Sequence, residues 1–134
     1  MRYLLDTNIC IYMIRKKPKA VLESIKSLEV GDVAISSITL SELEYGVAKS
    51  SQIQQNRDAL HAFLAPIEVA PYDHMAAYRY GQIRAFLEQK RLIIGAMDML
   101  IAAHALSLSV PLVTNNIREF KRIPGLDIEN WAKP

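Results

Sequence analysis

What most limits the folds open to this 134-residue chain is an alternation along its length. Short apolar runs without helical period are separated by segments whose apolar residues recur every three or four positions. The runs are Tyr3-Leu4-Leu5-Asp6, Val33-Ala34-Ile35-Ser36, Ile67-Glu68-Val69 and Pro111-Leu112-Val113-Thr114, with a short fifth at Leu126-Asp127-Ile128. Each is strand-sized. Helical spacing runs through Ile9, Tyr12 and Met13, and from Pro18 through Val21, Leu22, Ile25 and Leu28 toward Gly31. It returns from Thr39 to Lys49, from Ile53 to Leu64, from Asp73 to Gln89 and from Met97 to Ser109. Strands alternating with helices predict an α/β domain: a central, mostly parallel, twisted sheet of four to five strands with helices on both faces. The segments starting at Thr39 and Ile53 pair as a helical hairpin. In such sheets the working site lies beyond the carboxyl ends of the strands.

Composition agrees with one domain over residues 1–134. Hydrophobic residues make up 51% and charged residues 22%, with 5 glycines and 6 prolines, which excludes disordered, collagen-like and low-complexity chains. At this size about two-thirds of the unfolded surface can be buried. The opening MRYLLDTNICIYMIRKK has a carboxylate at position 6 and its basic residues after the apolar stretch, the reverse of a signal peptide. Leu92 to Leu108 is broken by Asp98 and His104 and is too short for a bilayer span. One cysteine, Cys10, makes neither a disulfide nor a cysteine-based zinc site and reads as core; the expected compartment is the reducing cytoplasm.

The formal charge is +2, from 16 Lys and Arg against 14 Asp and Glu. The basic residues gather at Arg15, Lys16, Lys17 and Lys19, at Lys90 and Arg91, and at Arg118, Lys121 and Arg122. Four acids neutralised by a cation would leave 16 basic residues against 10 acids, a surface suited to a polyanion. Ordinary solvated faces explain the same clusters equally well.

Local signatures are mostly missing. The chain has no GxxxxGK[ST], GxGxxG, HExxH, CxxC or GxSxG, which removes the usual support for nucleotide hydrolysis, dinucleotide binding, zinc proteolysis and esterase chemistry. His61, His74 and His104 lack ligand spacing and read as surface or satisfied core residues. What remains is a set of acids where strands hand over to helices. Asp6 ends the first strand, Glu42 opens the helix after the second, Asp98 begins the helix before the fourth, and Glu119 follows the fourth. In a parallel sheet all of them reach one edge. Carboxylates crowded into a partly dehydrated cleft repel, and a divalent cation is the physical remedy. Oxygen-only ligands select Mg²⁺ or Mn²⁺.

Each acid also has a structural explanation. Asp6 suits a helix cap, Thr39-x-x-Glu42 fits a capping box, and Asn116-x-x-Glu119 fits a related cap. For Glu42 or Glu119 taken alone, capping is the simpler reading. Asp98 differs, because it interrupts Leu92-Ile93-Ile94-Gly95-Ala96-Met97-Asp98-Met99-Leu100-Ile101, where an unpartnered buried charge costs several kcal/mol.

Taken together, these blocks resemble a PIN-domain ribonuclease of the VapC toxin type. The resemblance is carried by Leu4-Leu5-Asp6-Thr7-Asn8, by Ser36-Ser37-Ile38-Thr39-Leu40-Ser41-Glu42-Leu43 with Gly46, and by Ile94 through Ala105 around Asp98. Leu112-Val113-Thr114-Asn115-Asn116-Ile117-Arg118-Glu119-Phe120, Pro124-Gly125-Leu126 and Glu129-Asn130-Trp131 complete it, in the family's order from Tyr3 to Trp131. It implies a PIN-like sheet and an endoribonuclease dependent on Mg²⁺ or Mn²⁺. By motif position Asp6, Glu42 and Asp98 are the main metal-binding and catalytic acids. Many PIN domains have an Asp where this chain has Asn116, so Glu119 is expected to supply the fourth charge while Asn116 contributes a neutral oxygen. Thr7, Asn8 and Thr114 are expected to support the cluster through hydroxyl or amide hydrogen bonds.

Phosphodiester hydrolysis on such a site needs no covalent nucleophile. Arg15, Lys16, Lys17, Arg118 and Lys121 are expected to hold the RNA backbone, and Tyr12 or Tyr45 to stack on an unpaired base, although both tyrosines also fit core spacing. The resemblance further implies a toxin–antitoxin module acting on structured RNA such as transfer or ribosomal RNA. Its toxin forms a homodimer or larger assembly, with no membrane, and is silenced by a VapB-type antitoxin that inserts an arginine among the carboxylates. Leu40, Leu43, Tyr45, Val47 and Phe63 are candidates for the antitoxin groove or dimer surface, or for core. Three other readings stay open: a PIN fold that binds without cleaving, a metal-dependent nuclease acting on DNA, and a phospho-acceptor receiver domain. The last fits badly, because Val69-Ala70-Pro71 lacks the required acid.

Overall fold

A computed structural model describes residues 1–132 of the chain. Five strands form one sheet in the order β3-β2-β1-β4-β5, and every adjacent pair is parallel. In chain order these are β1 (Tyr3–Leu5), α1 (Thr7–Arg15), α2 (Lys19–Lys26), β2 (Val33–Ser36), α3 (Ser37–Ala48) and α4 (Ile53–Leu64). There follow β3 (Glu68–Ala70), α5 (His74–Gln89), α6 (Ala96–Leu108), β4 (Leu112–Val113), α7 (Ile117–Phe120) and β5 (Ile128–Glu129).

The central strands are covered on both faces, which is why they read as unbroken apolar runs. Leu4 and Leu5, adjacent on β1, are fully buried and point into different cores. Leu4 belongs to the core that holds Ile83 and Leu87 of α5 and Ile101 and Ala105 of α6. Leu5 belongs to the core that holds Ile9 of α1, Val21 of α2, Leu43 of α3 and Leu60 of α4. Ala102, Ala103 and Ala105, all buried, are small enough to let α6 pack closely on α5.

Element ends differ from the sequence expectation for local reasons. Asp6 leaves β1 and becomes the N-cap of α1, with Oδ1 accepting the Ile9 amide at 2.9 Å. α3 starts at Ser37 rather than Thr39, because Ser36 Oγ accepts the Ile38 amide at 3.0 Å and caps it. Ser109 leaves α6 with a left-handed φ of 57°. α2 ends at Lys26, and the expected stop at Gly31 is instead a turn with φ 94°. The one-turn α7 escaped prediction, since a 4-residue helix has no period to read.

Candidate functional site

Parallel strands deliver their carboxyl ends to one edge, and the acids arrive there from separate elements. Asp6 follows β1 directly and is 4% exposed. Both of its oxygens are engaged: Oδ1 faces the Ile9 amide, and Oδ2 accepts the hydroxyl of Thr114. Thr114, fully buried just beyond β4, also accepts the Asn116 amide at 2.9 Å, so the β1 and β4 ends are tied through one hydroxyl. Asn8 turns its backbone N–H, rather than its side-chain amide, toward Asp6.

Glu42 lies in the second turn of α3, so the capping box expected with Thr39 does not form. Its Oε1 accepts the Thr7 hydroxyl, which also lies 3.4 Å from the buried Thr39 hydroxyl. Asp98 sits in the first turn of α6 and Glu119 in the first turn of α7, where a helix dipole favours an acid. Asn116 occupies the N-cap position of α7 without capping it; its Nδ2 donates to Glu119 Oε2 at 3.1 Å.

These acids feel one another. Burial pushes the Asp98 carboxyl up to about 7, helped by a hydrogen bond and charge from Glu119 and by the charges of Asp6 and Glu42. Asp6 is also raised, first by burial and then by Glu42, against the pull of Thr114 and the backbone amides. The hydrogen-bonded positions are nonetheless spread out, and no three acids among the described residues are drawn into a ready metal shell. Oxygen-only donors in mutual repulsion suit a hard cation that keeps several of its waters, which needs only one or two direct carboxylates. The donor set fits such an ion.

The other expected residues divide. Arg15, Lys16, Lys17, Arg118 and Lys121 are exposed. Tyr12 is half-buried against the α1–α4 core, and its hydroxyl accepts from Asn115 at 3.4 Å, whereas Tyr45 is 65% exposed. Leu43 and Val47 are core, and Leu40 and Phe63 pack on it, so most of the suggested docking face lies inside. An open groove of about 800 Å³ runs from Thr7, Asn8 and Glu42 toward Tyr45 and Lys49. Cys10 is fully buried and its thiol is pushed well up by burial, so it is no nucleophile. His61 and His74 are exposed, while His104 is buried in α6 with Nδ1 2.7 Å from Ser36 Oγ. Sequence reasoning put Thr39 in a capping box and read His104 as a surface or satisfied core residue, but missed that Thr39 faces the Thr7 hydroxyl and that His104 pairs with Ser36 of β2. The signal for both contacts was polarity at positions that strand and helix patterns place inside.

Fold and site define a parallel α/β domain carrying an acid cluster at its carboxyl edge. The PIN domain family model matches residues 3–126, and the chain belongs to that family, among the VapC ribonucleases. It is 49% identical over 134 residues to Ribonuclease VapC2 of Rickettsia felis, covering 99% of this chain and 100% of that protein. The tRNA(fMet)-specific endonuclease VapC of Salmonella typhimurium is 45% identical over 132 residues, covering 98% and 99%. The crystal structure of VapBC2 from Rickettsia felis bound to a DNA fragment from their promoter superimposes with a TM-score of 0.92 at 48% identity, covering 98% of this chain and 99% of that one. DNA-bound VapBC from Salmonella typhimurium gives a TM-score of 0.92 at 45% identity, covering 98% of each chain.

Proposed function

We propose that the protein is a Mg²⁺- or Mn²⁺-dependent endoribonuclease toxin of the VapC type, acting in the cytoplasm on structured RNA and silenced by a VapB-type antitoxin. The observation that carries the reading is the convergence of Asp6, Glu42, Asp98 and Glu119 from four separate elements at the edge where the parallel strands end, near enough for Asp98 to hydrogen-bond Glu119 and feel the charges of Asp6 and Glu42. Relatives named ribonuclease and endonuclease at 45–49% identity over nearly the whole chain support the reaction class. Relatives crystallised as VapBC complexes support the partner and an assembly larger than one chain.

In this reading Asp6, Asp98 and Glu42 hold the ion, with Asn116 and Glu119 completing the oxygen set. The ion would supply Lewis acidity toward water and the phosphate oxygens. Thr114 fixes the Asp6 carboxylate against rotation, and Thr7 does the same for Glu42. The raised Asp98 carboxyl can hold a proton near neutral pH until the cation displaces it. Exposed Arg15, Lys16, Lys17, Arg118 and Lys121 attract the RNA backbone without reading its sequence. An antitoxin arginine among the carboxylates would compete with the ion by bidentate pairing.

The test is cleavage of total cellular RNA by purified protein in Mg²⁺ or Mn²⁺, beside EDTA and an Asp6→Ala control. Discrete fragments lost in both controls are expected, with a rate loss of about 100-fold or more in the variant. Fragments that persist in EDTA, or with Asp6→Ala at wild-type rate, would overturn the proposal.

A further inference from the structure

The buried imidazole of α6 takes no part in the proposed reaction, yet it joins the helices that carry two of its acids. His104 is 1% exposed, and its Nδ1 lies 2.7 Å from the Ser36 hydroxyl at the end of β2. Ser36 Oγ accepts the Ile38 amide at 3.0 Å and so caps α3. The ring also donates to the backbone carbonyl of Pro71, in the turn after β3, and Tyr72 packs edge-on against it at 5.5 Å. Nε2 is therefore the protonated nitrogen, and Nδ1 accepts the Ser36 hydroxyl proton. Burial pushes the imidazole's pKa down, in keeping with this neutral form.

Asp6 and Glu42 are each held by a threonine hydroxyl, from Thr114 and Thr7. Asp98 instead hydrogen-bonds another acid, Glu119, so its place depends on the setting of its helix. Asp98 precedes His104 on α6, and Glu42 follows Ser36 on α3, at equal separations of about 9 Å along the helix. The α6 neighbours Ala102, Ala103 and Ala105 are small and buried, which lets helices approach closely but still slide, whereas a buried, directional hydrogen bond fixes their register. A metal site needs that precision, since its oxygens must be placed to within about 0.2 Å. Stability alone does not ask for the pair, because two apolar groups of the same shape would serve nearly as well.

Resting on the reading of the site as a metal-dependent nuclease, we infer that His104 is a positioning residue for the cation: through Ser36 it fixes the setting of α6 against the start of α3, and with it the span between Asp98 and Glu42 across which the ion is held. The Pro71 carbonyl holds the ring, and the Tyr72 amide donates to Ser37 Oγ at 3.0 Å, which ties the same turn to α3. Three segments of the chain are locked together around one imidazole. His104 acts through the two helices rather than by touching the reacting atoms.

Mn²⁺ binding is measured from the loss of the free ion's electron paramagnetic resonance signal, at a temperature where the variants are folded. His104→Ala should weaken Mn²⁺ binding about tenfold, and Ser36→Ala, which removes the same bond and leaves a smaller cavity, should weaken it in the same sense. Ile83→Ala, a truncation on the α5 side of the same core, should lose comparable stability yet keep the wild-type Kd. His104→Asn carries an acceptor where Nδ1 stood and should stay near wild type, whereas His104→Gln, whose amide reaches the Nε2 position, should follow His104→Ala. RNA cleavage by His104→Ala should recover toward the wild-type rate as Mn²⁺ is raised, because the loss is in holding the ion. Should His104→Ala fail to fold, Ser36→Ala and His104→Asn decide. An unchanged Kd in Ser36→Ala and His104→Ala, equal weakening in Ile83→Ala, or a loss in His104→Asn as large as in His104→Ala overturns the positioning role and leaves the nuclease reading intact. Wild-type protein that binds no Mn²⁺ removes the nuclease reading, and this role with it.

Discussion

Asp98 is an acid held where its charge is unwelcome. Its carboxyl is moved from 3.8 to about 7, chiefly by burial and then by Glu119, with Asp6 and Glu42 adding to the effect. The folded state therefore holds the protonated form more tightly than the unfolded chain does. The stability this adds below about pH 4 is lost as pH rises through 7. Between about pH 5 and pH 8, the metal-free protein should lose about 1–2 kcal/mol relative to Asp98→Asn, solvent at the half-open site screening the remainder. His104 acts in the opposite sense: burial lowers its value, so its contribution falls as pH drops below the usual 6.5, but it is common to both proteins and cancels. Urea unfolding at several pH values checks the difference, and parallel profiles would contradict it. At this scale the sequence was most readable where a residue violates its surroundings. Asp98 interrupts an apolar run and announces itself, whereas Glu42 imitates a capping box and shows its place only once Ser36 is seen to cap α3.

The elements that bring the acids together are held by polar pins as well as by apolar faces. α3 carries Glu42 and α6 carries Asp98, and the buried His104 of α6 lies 2.7 Å from the Ser36 hydroxyl that caps α3. The ring of Tyr72 packs edge-on against His104 at 5.5 Å, so the turn after β3 joins the same junction. Removing the imidazole leaves a cavity and takes from the buried Ser36 hydroxyl one of its two partners, the other being the Ile38 amide. His104→Ala should destabilise the protein by about 2–4 kcal/mol in equilibrium unfolding, and a loss below about 0.5 kcal/mol would contradict the pin. Periodicity made the helices legible: Ile53–Leu64 appears with the bounds read from sequence. Short strands were legible as runs but slipped at their ends, β3 and β5 by about one residue each or more, since three residues hold too little pattern to fix a boundary.

For the molecule as a whole, alternation of strands and helices was enough to indicate a parallel sheet clothed on both faces, because that pattern has few right-handed solutions. The strand order β3-β2-β1-β4-β5 was not legible, since it depends on which helix face meets which strand across the chain. That order places β1 in the centre between β2 and β4, and so sets Asp6 between the helices that follow them. No helix among the described residues is long and apolar enough to cross a membrane. The gathering of the acids at one edge is thus a property of the topology, and a cation that answers their repulsion should stabilise the whole domain.

Thermal unfolding of the wild type and Asp98→Asn across a series of Mg²⁺ and Mn²⁺ concentrations tests this most directly. Tm of the wild type should climb steadily with metal, equivalent to about 2.7 kcal/mol at a hundred times Kd, while Asp98→Asn stays nearly flat without being less stable in EDTA. A wild type indifferent to both metals, or a variant that gains as much as the wild type, would contradict it.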